Sequence, residues 1–336
     1  MNRTAGVQSI AFCDCPYIIS SFSVVGKKEG QGPLKNQFDL ISQDDRFGQK
    51  TWEEAEACMQ TTACRKVLKK KDIHPKEIRY LFGGDLLRQG TATSMGVEDF
   101  RIPMFGLYGA CSTSGEALAL CAMSVAAGYG DMMLAVTSSH FGSAEKEFRF
   151  PLGYASQRPL SSQWTVTGCG AFVVGCRKSK VKISAVTVGK IVDPGLRDPQ
   201  NMGACMAPAA MDTIRRNFLD LQCDERAYDQ IITGDLGYVG SMILEDLMSE
   251  IGIHLKEKHM DCGLLIYDRV RQKVNAGGSG CGCAATVLAS YIIPMVSTGK
   301  WRKVLFVPTG ALMSTVSFNE GNNVAGIAHG IVIEHC

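Results

Sequence analysis

The chain has 336 residues, 46% of them hydrophobic, with a net charge of +2 and a mean hydropathy of +0.03. That length allows two domains or one large duplicated unit around a substantial core. The near-neutral balance argues against a nucleic-acid protein, which needs a concentrated basic surface, and no stretch reaches the roughly 18 uninterrupted apolar residues of a membrane helix.

In chain order, residues 1–6 are followed by no long apolar run, so no signal peptide is expected. The pattern then predicts an amphipathic helix over 51–70. Its end carries Arg65, Lys66, Lys69, Lys70 and Lys71, which read as a solvated helix C-terminus favoured by the dipole. An apolar run over 77–86 ends in Gly84-Asp85-Leu86. A second run, 103–108, enters the turn Gly109-Ala110-Cys111-Ser112-Thr113-Ser114-Gly115, and a helix too apolar to lie on a surface follows over 116–127. A strand at 132–136, an insert at 137–166 expected to cover a pocket or a dimer face, and a strand at 170–174 complete the first set.

The second set repeats the first. A helix over 209–221 precedes an apolar run over 228–236 that ends in Gly234-Asp235-Leu236. A glycine-rich turn at 277–282 precedes an apolar helix over 283–296, then strands at 304–307 and 330–333. Gly128 matches Gly299 and Leu134 matches Leu305, both pairs 171 residues apart. A repeat of helix, strand, turn, helix, strand, strand predicts an α/β protein of two like halves, 1–190 and 191–336. The expected architecture has five αβαβα layers, with the helices after Cys111 and Cys281 as the central pair.

Cys111 is the leading candidate for chemistry. A thiol at a strand-to-helix turn lies near the positive end of the helix dipole, where its pKa is expected to fall. Asp85 and Asp235 either cap the turns that follow them or line the crevice at the strand ends, where α/β sites lie. The fourteen cysteines are spread through apolar segments and read as free thiols of a reducing compartment. His259 with Cys262, Cys281 and Cys283 lacks the paired spacings of structural zinc, and the 277–282 turn lacks a phosphate loop's Lys-Ser/Thr. No protein-bound metal and no cofactor are expected.

These residues resemble the thiolase / ketoacyl-synthase superfamily, whose condensing enzymes carry a nucleophile turn similar to Gly109-Ala110-Cys111-Ser112. A closer resemblance is to the stage V sporulation protein AD family. Glu29-Gly30-Gln31-Gly32-Pro33-Leu34, Gly83-Gly84-Asp85-Leu86-Leu87, Thr137-Ser138-Ser139-His140, Phe148-Arg149-Phe150-Pro151, Lys258-His259-Met260-Asp261-Cys262-Gly263, Ala276-Gly277-Gly278-Ser279-Gly280-Cys281 and Ile327-Ala328-His329-Gly330 all look like that family. The resemblance implies a thiolase-like fold and binding of dipicolinic acid (pyridine-2,6-dicarboxylate), or its calcium chelate, for uptake into the developing spore. It also implies peripheral association with the spore inner membrane, other SpoVA membrane proteins as partners, and a homodimer formed through the edge strand near 104–108.

The superfamily's catalytic partners do not carry over. Its histidine stands just after the strand that matches 230–233, where this chain has Gly234-Asp235. Its second His or Asn stands in the turn before the second buried helix, where this chain has glycines and Ser279. An aspartate is anionic at neutral pH and would oppose an enolate. The expected site therefore binds rather than condenses. Its candidate residues are Asp85, Cys111, Ser112, His140, Arg149 as the clamp on a carboxylate, Asp235, His259, Gly280 and His329. Helix N-termini supply further donors, and calcium travelling with the ligand would make Asp85 and Asp235 useful. The rival reading is a Cys-dependent acyltransferase using Cys111 with His329 or His140.

Overall fold

The computed structural model describes residues 3–14, 16–148, 158–255 and 257–336. Its two halves have the same sheet. In the first, the strand order is Met104–Gly106, Tyr80–Gly84, Met132–Ser139, Gly168–Gly175, Tyr17–Val25. The first three run parallel and the last two add antiparallel pairings. In the second, the order is His259–Asp261, Gln230–Thr233, Lys303–Val307, Gly330–His335, Val181–Thr187, with the same sequence of orientations. A single pairing, Lys182 with Tyr17, joins the two sheets. The chain crosses from one to the other in the short turn after Gly175.

Side-chain alternation along these strands builds the layers. In the first sheet Leu81, Leu134 and Val136 pack with Met59, Cys64 and Val67 of the helix Trp52–Lys69. Their neighbours Phe82, Met133 and Ala135 point the other way, into a central core. In the second sheet Leu305, Val307 and Val332 pack with Met206, Ala210 and Ile214 of the helix Met202–Leu221. Val304, Phe306 and Ile331 face the same central core. That core is filled by the helix Thr113–Ala126 and by the helix that opens at Cys281, so the five αβαβα layers are present.

Small residues let the central layer sit close. A Cβ added at Gly170 would lie 2.7 Å from Ala285, so this strand position admits only glycine. The Cys281 helix runs to Val287, widens into a π-turn at Leu288–Ile292 and resumes over Ile293–Ser297. Pro294 explains the wide turn, because it has no N–H to donate and its ring crowds the preceding turn's carbonyl. The helix Met202–Leu221 starts seven residues before the sequence pattern suggests, and it keeps Pro208 inside. Cys205, Met206 and Ala207 before the proline and Ala209 and Ala210 after it are all buried, which holds the helix through that step.

Candidate ligand cavity

The Cys111 turn is held by its own side chains. Ser112 Oγ donates to the Gly109 carbonyl (2.6 Å) and Thr113 Oγ1 to that of Ala110 (2.6 Å), while Gly109 N–H donates to Thr113 Oγ1 (3.0 Å). Ala110 sits in the left-handed region at φ +50°, an uncommon place for a residue with a Cβ. This kink delivers Cys111, only 6% exposed, to the crevice between the halves.

Two residues of the second half meet it there. The Cys111 thiol faces the Asp235 carboxylate, whose charge acts on it. Asp235 also accepts from Gly280 N–H (3.0 Å) and Thr309 Oγ1 (2.8 Å). Cys281 packs with Cys111, Leu86 and Ala144, and its thiol donates to the Ser138 carbonyl at 2.8 Å. Gly280 supplies its N–H from a backbone at φ +107°, and a Cβ there would lie 2.5 Å from Ser139 Oγ. Glycine is therefore required at this position.

The electrostatics reverse the expected effect of the helix. Burial pushes the Cys111 thiol well above its ordinary value, and the Asp235 charge pushes it further. The helix begins only at Thr113, two residues on. Its dipole is outweighed by desolvation and an adjacent carboxylate. Burial also raises Asp235 to about 7. A thiol kept protonated beside an acid is the opposite of an activated nucleophile, which needs a neighbouring base or cation.

The cavity at Cys111 is small, about 30 Å³, and is lined by Leu86, Ala110, Cys111, Glu145, Thr165 and Ala311 among others. That space suits one or two waters. It adjoins a groove of about 580 Å³ that shares Leu86 and Met313 with it. The groove opens toward Met104, Gly106 and Tyr108 and carries Arg88, Gln89, Glu147 and Thr315 on its walls. Arg88 is 65% exposed, with Nε 3.1 Å from Glu147 and Nη2 donating to Thr315 Oγ1 (3.2 Å).

Comparison with known proteins identifies the lineage. The stage V sporulation protein AD family profile matches residues 6–334. The chain is 40% identical, over 332 residues, to stage V sporulation protein AD of Bacillus subtilis (strain 168), covering 99% of this chain and 98% of that one. The chain belongs to the stage V sporulation protein AD family.

Solved structures share the fold at low identity. The 3-oxoacyl-[acyl-carrier-protein] synthase III of Aquifex aeolicus superposes with a TM-score of 0.57 at 13% identity, over 95% of this chain and 100% of that one. The Acat5 thiolase of Ascaris suum, solved with coenzyme A, gives 0.57 at 11% identity, over 96% of this chain and 100% of that one. The fold is thiolase-like in a sporulation protein.

In this family member the other expected site residues are dispersed. Asp85 is buried and accepts from Leu87 N–H, Thr93 N–H and Thr93 Oγ1, so it organises its own turn. Ser112 likewise holds the nucleophile turn. His140 stands at a different cavity, of about 190 Å³, with Trp52, Trp164 and Glu29. Its Nε2 bonds the Asp45 carbonyl and its Nδ1 accepts from Gly142 N–H, and burial lowers its pKa. His259 bonds Thr233 Oγ1 (2.9 Å) and faces Glu245 (3.3 Å) at the outer strand of the second sheet.

His329 packs behind the Cys111 helix, against Gly115. Burial pushes it down to about 4, and its Nδ1 accepts from Gly189 N–H. Arg149 lies outside the described residues. Among the described residues, Cys111, Asp235 and Gly280 are the members of the expected set that meet at one point.

Two cations escaped the sequence reading. Arg158, within the insert, has its Nη2 2.8 Å from Glu145 and its guanidinium 4.7 Å from the Trp164 ring. Thr165 Oγ1 donates to the same Glu145 oxygen, which ties this buried pair to the cavity wall. Arg88, four residues past Gly84, reaches the groove because the chain turns at Gln89 (φ +57°). Nothing in its local pattern marks it except its place after the strand end. Among the described residues no group of three or more His, Cys, Asp or Glu could hold a metal ion.

Proposed function

We propose that this sporulation protein is a non-catalytic, ligand-binding descendant of the thiolase fold that holds dipicolinic acid, alone or as its calcium chelate, in the groove beside Cys111. The observation that carries the reading is the Cys111–Asp235 contact. The crevice keeps the fold's cysteine but faces it with an acid that burial shifts upward, where condensing chemistry needs an imidazole. The adjoining groove has the capacity for a small planar ligand. Arg88 supplies a forked cation for one carboxylate, and Tyr108 and Thr315 supply polar edges. If calcium enters with the ligand, Glu147 on the groove wall becomes an oxygen ligand rather than a repulsive charge.

Titration calorimetry with dipicolinate tests this. Saturable heat is expected, and Arg88→Ala should weaken binding about tenfold or more. Absence of heat, or an Arg88→Ala variant that binds as the parent does, would sink the reading. In its place, a mass increment on Cys111 after incubation with acyl-thioesters would install an acyltransferase. Gly280 N–H beside the thiol is the one feature that favours such an enzyme.

The same reading includes a homodimer and a peripheral place at the spore inner membrane beside other SpoVA proteins. Among the described residues no helix is long and apolar enough to cross a membrane. The strand Met104–Gly106 is the outermost of its sheet, and Phe105 on it is 53% exposed. Such an edge invites pairing with a second copy. Light scattering should give twice the chain mass, and Phe105→Asp should halve it; a monomeric parent would remove the dimer.

A further inference from the structure

The five bases at the end of the helix Trp52–Lys69 do not stand alone in the fold. Arg79 N–H donates to the Met132 carbonyl (2.8 Å) and Cys176 N–H to that of Asp131 (3.0 Å). The starts of two strands and the turn between the sheets therefore lie side by side. Lys76 sits on the turn Pro75–Glu77 that leads from the helix into Arg79. Ten exposed bases gather at this end: five in 65–71, Lys76, Arg79, and three in 177–180. Seven are lysines.

Asp39, Asp72, Glu77 and Asp131 lie among them, and Glu98, Asp99 and Arg101 flank the same end, where Leu81 N–H donates to the Pro103 carbonyl. Bases outnumber acids at this end. Among the described residues Lys70 alone of the ten has an ion-pair partner, Asp39 at 3.1 Å. Tyr129, 67% exposed, stands in the same group beside Gly130, whose added Cβ would meet the Arg79 side chain at 2.5 Å. The equivalent end of the second sheet is neutralised, since Lys182 and Lys303 both pair with Glu334.

We propose that this end of the first half is a docking surface for an anionic lipid bilayer. Lysines act as hydrated point charges that need no fixed acceptor geometry, which suits a fluid array of headgroups. An exposed tyrosine among them matches the depth of the headgroup layer. The ligand groove lies at the opposite end, because Asp85 and Asp235 follow the C-terminal ends of the parallel strands whose starts carry the bases. Docking this way leaves the groove open to water. The proposal assigns a surface to the peripheral association proposed above and does not depend on the ligand.

Co-sedimentation with phosphatidylcholine vesicles, with and without phosphatidylglycerol, tests it. Binding is expected only to the anionic vesicles, and raising the salt from about 0.1 to about 0.5 M should weaken it about tenfold or more. The triple variant Lys71→Glu/Arg79→Glu/Lys178→Glu should lose at least about tenfold in partition while dipicolinate heat is unchanged. Should it misfold, Lys71→Glu and Lys178→Glu singly read the same loss in smaller steps. Equal binding to neutral vesicles, binding to neither, or partition unmoved by the charge reversals overturns the proposal. So does salt-sensitive binding to duplex DNA without binding to vesicles.

Discussion

Gly84-Asp85-Leu86 and Gly234-Asp235-Leu236 end matching strands in the two halves, yet their aspartates have opposite tasks. Asp85 turns back on its own segment and spends its oxygens on Leu87 N–H (2.7 Å), Thr93 N–H (2.7 Å) and Thr93 Oγ1 (2.6 Å). In the second half that local task falls to Asp261, on the neighbouring strand. Asp261 accepts from Leu236 N–H (2.8 Å), Gly237 N–H (3.0 Å) and Thr233 Oγ1 (2.7 Å). Asp235 is thereby released to accept from Gly280 N–H and Thr309 Oγ1 of its own half and to face Cys111 across the crevice. The duplication preserves the backbone, and one acid on an adjacent strand decides whether the repeated aspartate is scaffold or pocket.

The largest expected effect tests the scaffold side. Asp85→Ala removes the acceptor of two buried N–H groups and one hydroxyl, and it should lower unfolding free energy by about 3 kcal/mol in chemical denaturation. Thiol reactivity at Cys111 should stay as it was. A loss below about 1 kcal/mol, or a changed thiol, would break the contrast, because Asp85 would then be acting in the pocket.

Much of this contrast was hidden in the sequence. The repeat, the strand ends and the two central helices were legible, because apolar periodicity reports which face of a strand or helix is buried. Cys111, Asp235 and Gly280 all stand at strand ends or at the start of a central helix, which is where the fold brings the two halves together. The direction of the Cys111 shift was not legible. The sequence shows a helix start but neither the depth of burial nor the side chain facing the thiol. Nor could it rank the histidines: His140 and His329 both lie beside a strand end, but both nitrogens of His140 are taken up by the Asp45 and Gly142 backbone, and Nδ1 of His329 by Gly189 N–H. Glu145 and Arg158 pair across thirteen residues, a meeting that no local pattern encodes. The basic end was visible as five residues, and only the strand register adds the other five.

The smaller expected effect tests the pocket side and fixes its sign. Asp235→Asn is close in shape, and its side-chain carbonyl can still accept from Gly280 N–H, so the fold should be kept. What disappears is the negative charge beside Cys111. A neighbouring anion disfavours a thiolate, so its removal lets the thiol ionise at lower pH. Alkylation of Cys111 by iodoacetamide at about pH 8 should therefore rise about tenfold, which is one pKa unit or about 1.4 kcal/mol. Peptide mass analysis separates Cys111 from the other thiols. Stability should respond in the same direction. Asp235 has its folded pKa raised to about 7, so its contribution is fully present below the ordinary aspartate value and is lost as pH rises through about 7. Asn has no such loss, and the variant should gain on the parent between about pH 4 and 7. If alkylation is unmoved while stability gains as described, Asp235 is a buried acid that does not govern the thiol. The two halves would then differ in packing alone.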